Sequence, residues 1–137
     1  MELLRCKARL SVLWVAMAAG TVSAMFLSFL APGTMKEVIA GEYGGMKISE
    51  GFMLIYSLFF IIPLVMAILC LNLKRSANRW LNFILGIIWV LWFIFEIVGH
   101  VFMIEGVPIA MWLMLIFGLA FSVYIVYCAW KLPEQEA

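Results

Sequence analysis

Apolar residues fill four long stretches of the chain, Leu10 to Ala31, Phe52 to Leu73, Leu81 to Ile104 and Ile109 to Trp130, and the charged residues gather between them. Each stretch is close to the roughly 20 residues that an α-helix needs to cross about 30 Å of hydrocarbon. Among charged residue types and histidine, only Glu96 and His100 interrupt the runs. The pattern predicts an all-α membrane protein, one four-helix transmembrane bundle over residues 1–137 with helices at about 10–31, 52–73, 79–104 and 108–131.

Composition removes the alternatives. The chain is 67% hydrophobic and 12% charged, with a mean hydropathy of +1.14, whereas soluble domains are nearer half apolar and a quarter charged. Disordered chains are poor in apolar residues, so disorder is excluded too.

Orientation follows from the placement of Lys and Arg. One side collects seven, Arg5, Lys7, Arg9, Lys74, Arg75, Arg79 and Lys131, against two on the other, Lys36 and Lys47, which share their loop with Glu37, Glu42 and Glu50. The positive-inside rule then puts both termini in the cytoplasm. Tyr124, Tyr127, Trp130 and Trp80 fit an inner aromatic belt and Trp112 an outer one. A cleaved signal peptide ending near Ala16-Met17-Ala18 is the competing account of the N-terminus, but the apolar run continues to Ala31, too far for a signal core. Cys6, Cys70 and Cys128 fall at cytoplasmic helix ends, where thiols stay reduced. Without a C-x-x-C pair they argue against a membrane disulfide oxidoreductase.

The outer connection, residues 32–51, has its own signals. Thr34-Met35-Lys36-Glu37 has the form of a capping box, which predicts a short helix at the outer interface, stopping at Gly41. Gly44-Gly45 should turn the chain, Ser49 should N-cap helix 2, and Pro108 suits the first turn of helix 4. This segment reads as a connector covering the bundle in preference to a substrate gate. Small residues mark candidate helix contacts: Ala16, Gly20, Ala24 and Ser28 in helix 1, Gly118 and Ser122 in helix 4, Gly86 and Gly99 in helix 3. Pro63 should kink helix 2.

Glu96 and His100 carry the functional question. Ionisable groups inside a bilayer are costly, face the bundle interior by default and mark function. Four residues apart, the two share a helical face and are the candidate catalytic pair. Trp89, Trp92, Phe93 and Met103 project to the same side, and Tyr56 and Ser57 of helix 2, Ser23 and Ser28 of helix 1 and Trp112 of helix 4 lie at similar depth. Trp89, Trp92, Phe93, Tyr56, Ser57 and Trp112 are therefore the candidate ligand-binding residues, an apolar wall with a few placed polar groups. No metal is expected, because E-x-x-x-H supplies two ligands where stable sites want three or four. No cofactor is expected either, and a single histidine excludes a bis-haem cytochrome.

Leu10-Ser11-Val12-Leu13-Trp14, the loop from Pro32-Gly33 to Ile48-Ser49, the junction Ala77-Asn78-Arg79-Trp80-Leu81-Asn82 and the ending Ala129-Trp130-Lys131-Leu132-Pro133 resemble a family of small bacterial four-helix membrane proteins known only as a domain of unknown function. The likeness spans nearly the whole chain, and the A-N-R-W-x-N junction is its most specific part. It implies a bacterial inner-membrane location and a four-helix fold, and no activity. Family members tend to carry an acid just before the helix 2 proline, where this chain has Ile62. At the junction, Asn78 or Ser76 is expected to cap helix 3, Arg79 to meet lipid phosphate and Asn82 to bond across to helix 2.

The reading that results is a membrane protein that binds, and on one version converts, a lipophilic small molecule in an outer-half pocket beside Glu96 and His100. A structural or accessory subunit and an oligomeric proton-coupled transporter are the alternatives, and the sequence leaves open whether the protein is an enzyme. The expected partners are membrane lipids, the lipophilic ligand and further copies of the chain, with no nucleic acid.

Overall fold

The computed structural model describes residues 2–103 and 108–133, apart from the side chain of Met103. Its elements are α1 (Glu2–Phe29), α2 (Thr34–Ile39), β1 (Glu42–Tyr43), β2 (Met46–Lys47), α3 (Glu50–Asn72), α4 (Arg75–Met103) and α5 (Ile109–Trp130). Helices α1, α3, α4 and α5 are long and apolar enough to span a membrane. They have 28, 23, 29 and 22 residues, or about 33–44 Å at 1.5 Å per residue. Their outer surfaces carry large apolar side chains such as Phe26, Phe95 and Phe102, the last 80% exposed. A water-soluble monomer rarely shows so much apolar surface.

Two helices start earlier than the apolar runs imply. Helix α1 begins at Glu2, whose charge suits a helix N-terminus, and its first turns stay helical because Leu3 and Cys6 pack on the core. Helix α4 begins at Arg75, so Asn78 lies inside its first turn.

The four long helices form a cycle in which α1 packs on α3 and α5, and α5 packs on α4, while α3 and α4 meet least. One end of the bundle gathers the chain's N-terminal turns, the α3–α4 turn and Leu132, tied by Lys7 Nζ donating to the Leu73 carbonyl (2.7 Å) and by Arg75 donating to the carbonyls of Pro133 (2.6 Å) and Leu132 (3.0 Å). We call this the terminal end. The core lies toward it: Leu10, Trp14, Met66, Cys70 and Ile125 are among its buried residues. Toward the far end burial thins out.

Small residues fasten α4 to α5. A Cβ on Gly86 would meet Val126 Cγ2 at 2.7 Å, one on Gly118 would collide with the Phe93 ring, and Ser122 is fully buried. At Gly20 of the α1 stripe there is no such close approach, since a Cβ there would meet nothing within 4 Å, and the same holds for Gly99 of α4. Pro63 is buried inside α3, which is helical on both sides of it.

The segment between α1 and α3 covers the far end. Helix α2 is N-capped by Gly33 (φ 91°) with no side-chain hydrogen bond, so the capping box does not form. Glu37 is engaged elsewhere, its Oε2 accepting from Gly44 N at 3.2 Å. The short antiparallel pair β1–β2, Glu42 opposite Lys47 and Tyr43 opposite Met46, was not foreseen. Gly44 (φ 57°) and Gly45 (φ 75°) make its turn, where both central residues need positive φ. Gly41 (φ 81°) follows the end of α2, and Ser49 Oγ caps α3 by accepting from Phe52 N at 3.2 Å. Pro108 precedes α5 as its N-cap.

Candidate functional site

Glu96 and His100 lie one turn apart in the far half of α4. The His100 Nδ1–H donates to the Glu96 carbonyl oxygen at 2.7 Å, a bond along their own helix. The Glu96 carboxylate is 3.7 Å from Nδ1, beyond hydrogen-bond reach. The imidazole is therefore anchored to backbone and the carboxylate is only nearby. Side-chain exposure is 14% for His100 and 27% for Glu96. Trp112 of α5 meets the His100 ring edge-on at 6.3 Å between centroids.

The remaining candidates divide. Trp89 is core, edge-on to Trp14 at 5.7 Å and to Phe59 at 5.5 Å. Trp92 lies against Phe59 at 4.2 Å, closing the seam between α3 and α4. Phe93 fills the notch at Gly118. These three make packing contacts of α4 and are not among the residues lining the cavity between α1 and α3. Ser23 is exposed, and the Met103 side chain lies outside the described residues.

Tyr56 and Ser57 instead line a cavity of about 470 Å³ between the far ends of α1 and α3. Met25 and Phe29 contribute from α1, Phe52 and Phe60 from α3, and Val38, Tyr43 and Ile48 of the covering segment roof it. The space is only partly enclosed, and Val22, Met53, Ser57 and Phe60 of its lining are exposed. Its volume falls in the range of about 300–1,000 Å³ usual for small-molecule pockets. The roof is pinned by the Tyr43 hydroxyl, which donates to Ser28 Oγ at 2.7 Å, and by the Tyr43 ring, within 6.2 Å of Phe29, Phe52 and Tyr56. Phe29, Tyr43, Phe52 and Phe60 were missed in the sequence, although Phe52, Tyr56 and Phe60 recur every four residues along one helix face.

At the terminal end a second polar group is closed to solvent. The Asn78 side-chain amide donates to the Cys70 carbonyl (2.7 Å), and that of Asn82 donates to the carbonyl (2.7 Å) and side-chain oxygen (2.6 Å) of Asn78. Asn82 Oδ1 accepts from Trp14 Nε1 and from Cys70 Sγ (3.2 Å). Asn82 does reach the second span, as expected, and also the first. Asn78 caps the end of α3, where a cap for the following helix was expected, because α4 has already begun at Arg75. Arg79 lies over the Trp130 ring at 5.0 Å. No buried side-chain polar atom lacks a partner among the described residues, so this network reads as an inter-helix fastening. The described residues also bring together no group of three His, Cys, Asp or Glu side chains fit to hold a metal.

The model of a family of unknown function (DUF6326) matches residues 4–136. The chain belongs to this family. No curated protein and no solved structure matches it. The A-N-R-W-x-N junction on which the resemblance rested is, in this DUF6326 member, the segment that ties α1, α3 and α4 together through Asn78 and Asn82.

Proposed function

We propose that the chain is a multi-pass protein of a bacterial inner membrane that binds a lipophilic small molecule between the far ends of α1 and α3, beside Glu96 and His100. The observation that carries the reading is the aromatic, partly open cavity of about 470 Å³, placed where the core gives way. In the orientation set by the seven basic residues of the terminal end, both termini are cytoplasmic, the cavity lies in the outer leaflet and α2 rests at the outer interface. The ligand enters sideways from the bilayer, and the segment roofed by Tyr43 bounds it from above.

Binding is tested with protein in nanodiscs and 1-N-phenylnaphthylamine, a neutral lipophilic fluorophore, measured against protein-free discs. Met25→Trp and Ser57→Trp, which fill the cavity, are expected to weaken saturable binding at least tenfold while the protein stays monodisperse; unchanged affinity in both would refute the assignment. Orientation is tested by C-terminal fusions. Green fluorescent protein should be fluorescent there and alkaline phosphatase inactive, and the reverse pattern would invert the topology.

A further inference from the structure

The cavity's chemistry narrows what it accepts. Resting on the ligand-binding reading above, we propose that the ligand is a lipophilic cation. Five aromatic rings, those of Phe29, Tyr43, Phe52, Tyr56 and Phe60, contribute to the lining, and among the described residues no lysine, arginine, histidine, aspartate or glutamate does. Ring faces are electrostatically negative and attract a desolvated cation.

The hydroxyl groups point the same way. Tyr43 O–H is engaged by Ser28 Oγ, Ser28 donates to the Met25 carbonyl at 2.7 Å, and Ser57 donates to the Met53 carbonyl at 2.9 Å. Three of the four lining hydroxyl protons are therefore turned to the protein's own acceptors, and what the cavity offers is lone pairs and ring faces. An anion would find one hydroxyl donor, Tyr56.

Charge beyond the lining adds to this. On α4, Glu96 has His100 one turn further on, whose Nδ1–H is bound to the Glu96 carbonyl oxygen and whose Nδ1 lies 3.7 Å from the carboxylate. The far end as a whole carries Glu37, Glu42, Glu50 and Glu96 against Lys36 and Lys47 among the described residues, and Lys47 sits opposite Glu42 in the β-pair. Glu37, Glu42 and Glu50 are exposed, so solvent weakens their field at the cavity. The combination suits a compact organic cation such as a phosphonium or quaternary ammonium with apolar substituents.

The test uses wild-type protein in nanodiscs, with tetraphenylphosphonium, its size-matched anion tetraphenylborate and neutral 1-N-phenylnaphthylamine, each corrected for partition into protein-free discs. Wild type is expected to bind the phosphonium at least tenfold tighter than the borate. Glu96→Gln should lose most of that preference while binding the neutral probe within twofold of wild type, which shows that the cavity is intact; Glu96→Asp should retain it. Equal binding of the two ions, or a preference that survives in Glu96→Gln, overturns the cation assignment and leaves the cavity as a site for neutral lipophiles. Failure of all three probes to bind saturably overturns both this assignment and the function on which it rests.

Discussion

Asn82 shows how much one side chain can hold in a membrane protein. Its amide oxygen accepts from α1 and α3 at once and its nitrogen donates to Asn78, all without contact with solvent. Replacing it strands the Trp14 N–H, and a buried donor left unmatched costs about 1–3 kcal/mol. Membrane helix hydrogen bonds average nearer 0.6 kcal/mol because the separated helices find other partners. Asn82→Leu should therefore lower unfolding stability by about 1–2 kcal/mol in a detergent or steric-trapping assay. Asn72→Ala, which removes an exposed amide bonded to its own helix at the Ile68 carbonyl, should stay within about 0.5 kcal/mol of wild type. Equal losses would remove the special standing of the network. The sequence showed that Asn82 reaches the second span, since a polar side chain inside an apolar run has few other places to go. It did not show the link to Trp14, because an indole in an apolar run is equally at home facing lipid.

Among elements, the pairing of α4 with α5 is set by shape. Phe93 occupies the space left by the missing side chain of Gly118, so Gly118→Ala should cost about 1–3 kcal/mol through overpacking. Phe93→Leu in that background should recover part of the loss, whereas Gly20→Ala, with open space at its Cβ, should be neutral. Thermal unfolding of the four variants checks this, and additive losses in the double variant would contradict it. Spacing alone flagged Gly20 and Gly118 alike; only the partner helix distinguishes them, and single-chain periodicity carries no partner. The covering segment is held differently, by one hydroxyl and three rings. Tyr43→Phe removes the bond to Ser28 and keeps the rings, so local opening should become easier by about 0.5–1.5 kcal/mol. Trypsin cleavage at Lys36 and Lys47 should then accelerate about 2- to 12-fold; an unaltered rate would mean that the rings alone hold the roof. The β-pair escaped the sequence reading because its strands are two residues long, and only its Gly-Gly turn left a signature.

For the whole molecule, the uneven distribution of packing matters most. Large buried side chains and closed polar groups concentrate at the terminal end, while the far end keeps a cavity and an acid with a neighbouring imidazole. The four spans were legible because lipid imposes length and apolarity on every residue of a run. The candidate site was legible only in part. Glu96 and His100 announce themselves as ionisable groups in an apolar run, and Tyr56 and Ser57 were placed by depth, but the split between core rings on α4 and cavity rings on α3 depends on which way each helix is turned. Helices apolar on every side, as α3 and α5 nearly are, do not encode that rotation in their composition.

The bond between Trp14 and Asn82 also has a consequence in time. The two residues are 68 positions apart in the chain, and ribosomes add about 5–20 residues per second, so the acceptor for the Trp14 N–H is made roughly 3–14 s after its donor. During that interval the first span can already pack on α3, but the bond that fastens Trp14 waits for the third span, and the core closes only when α5 brings Ile125 and Cys128.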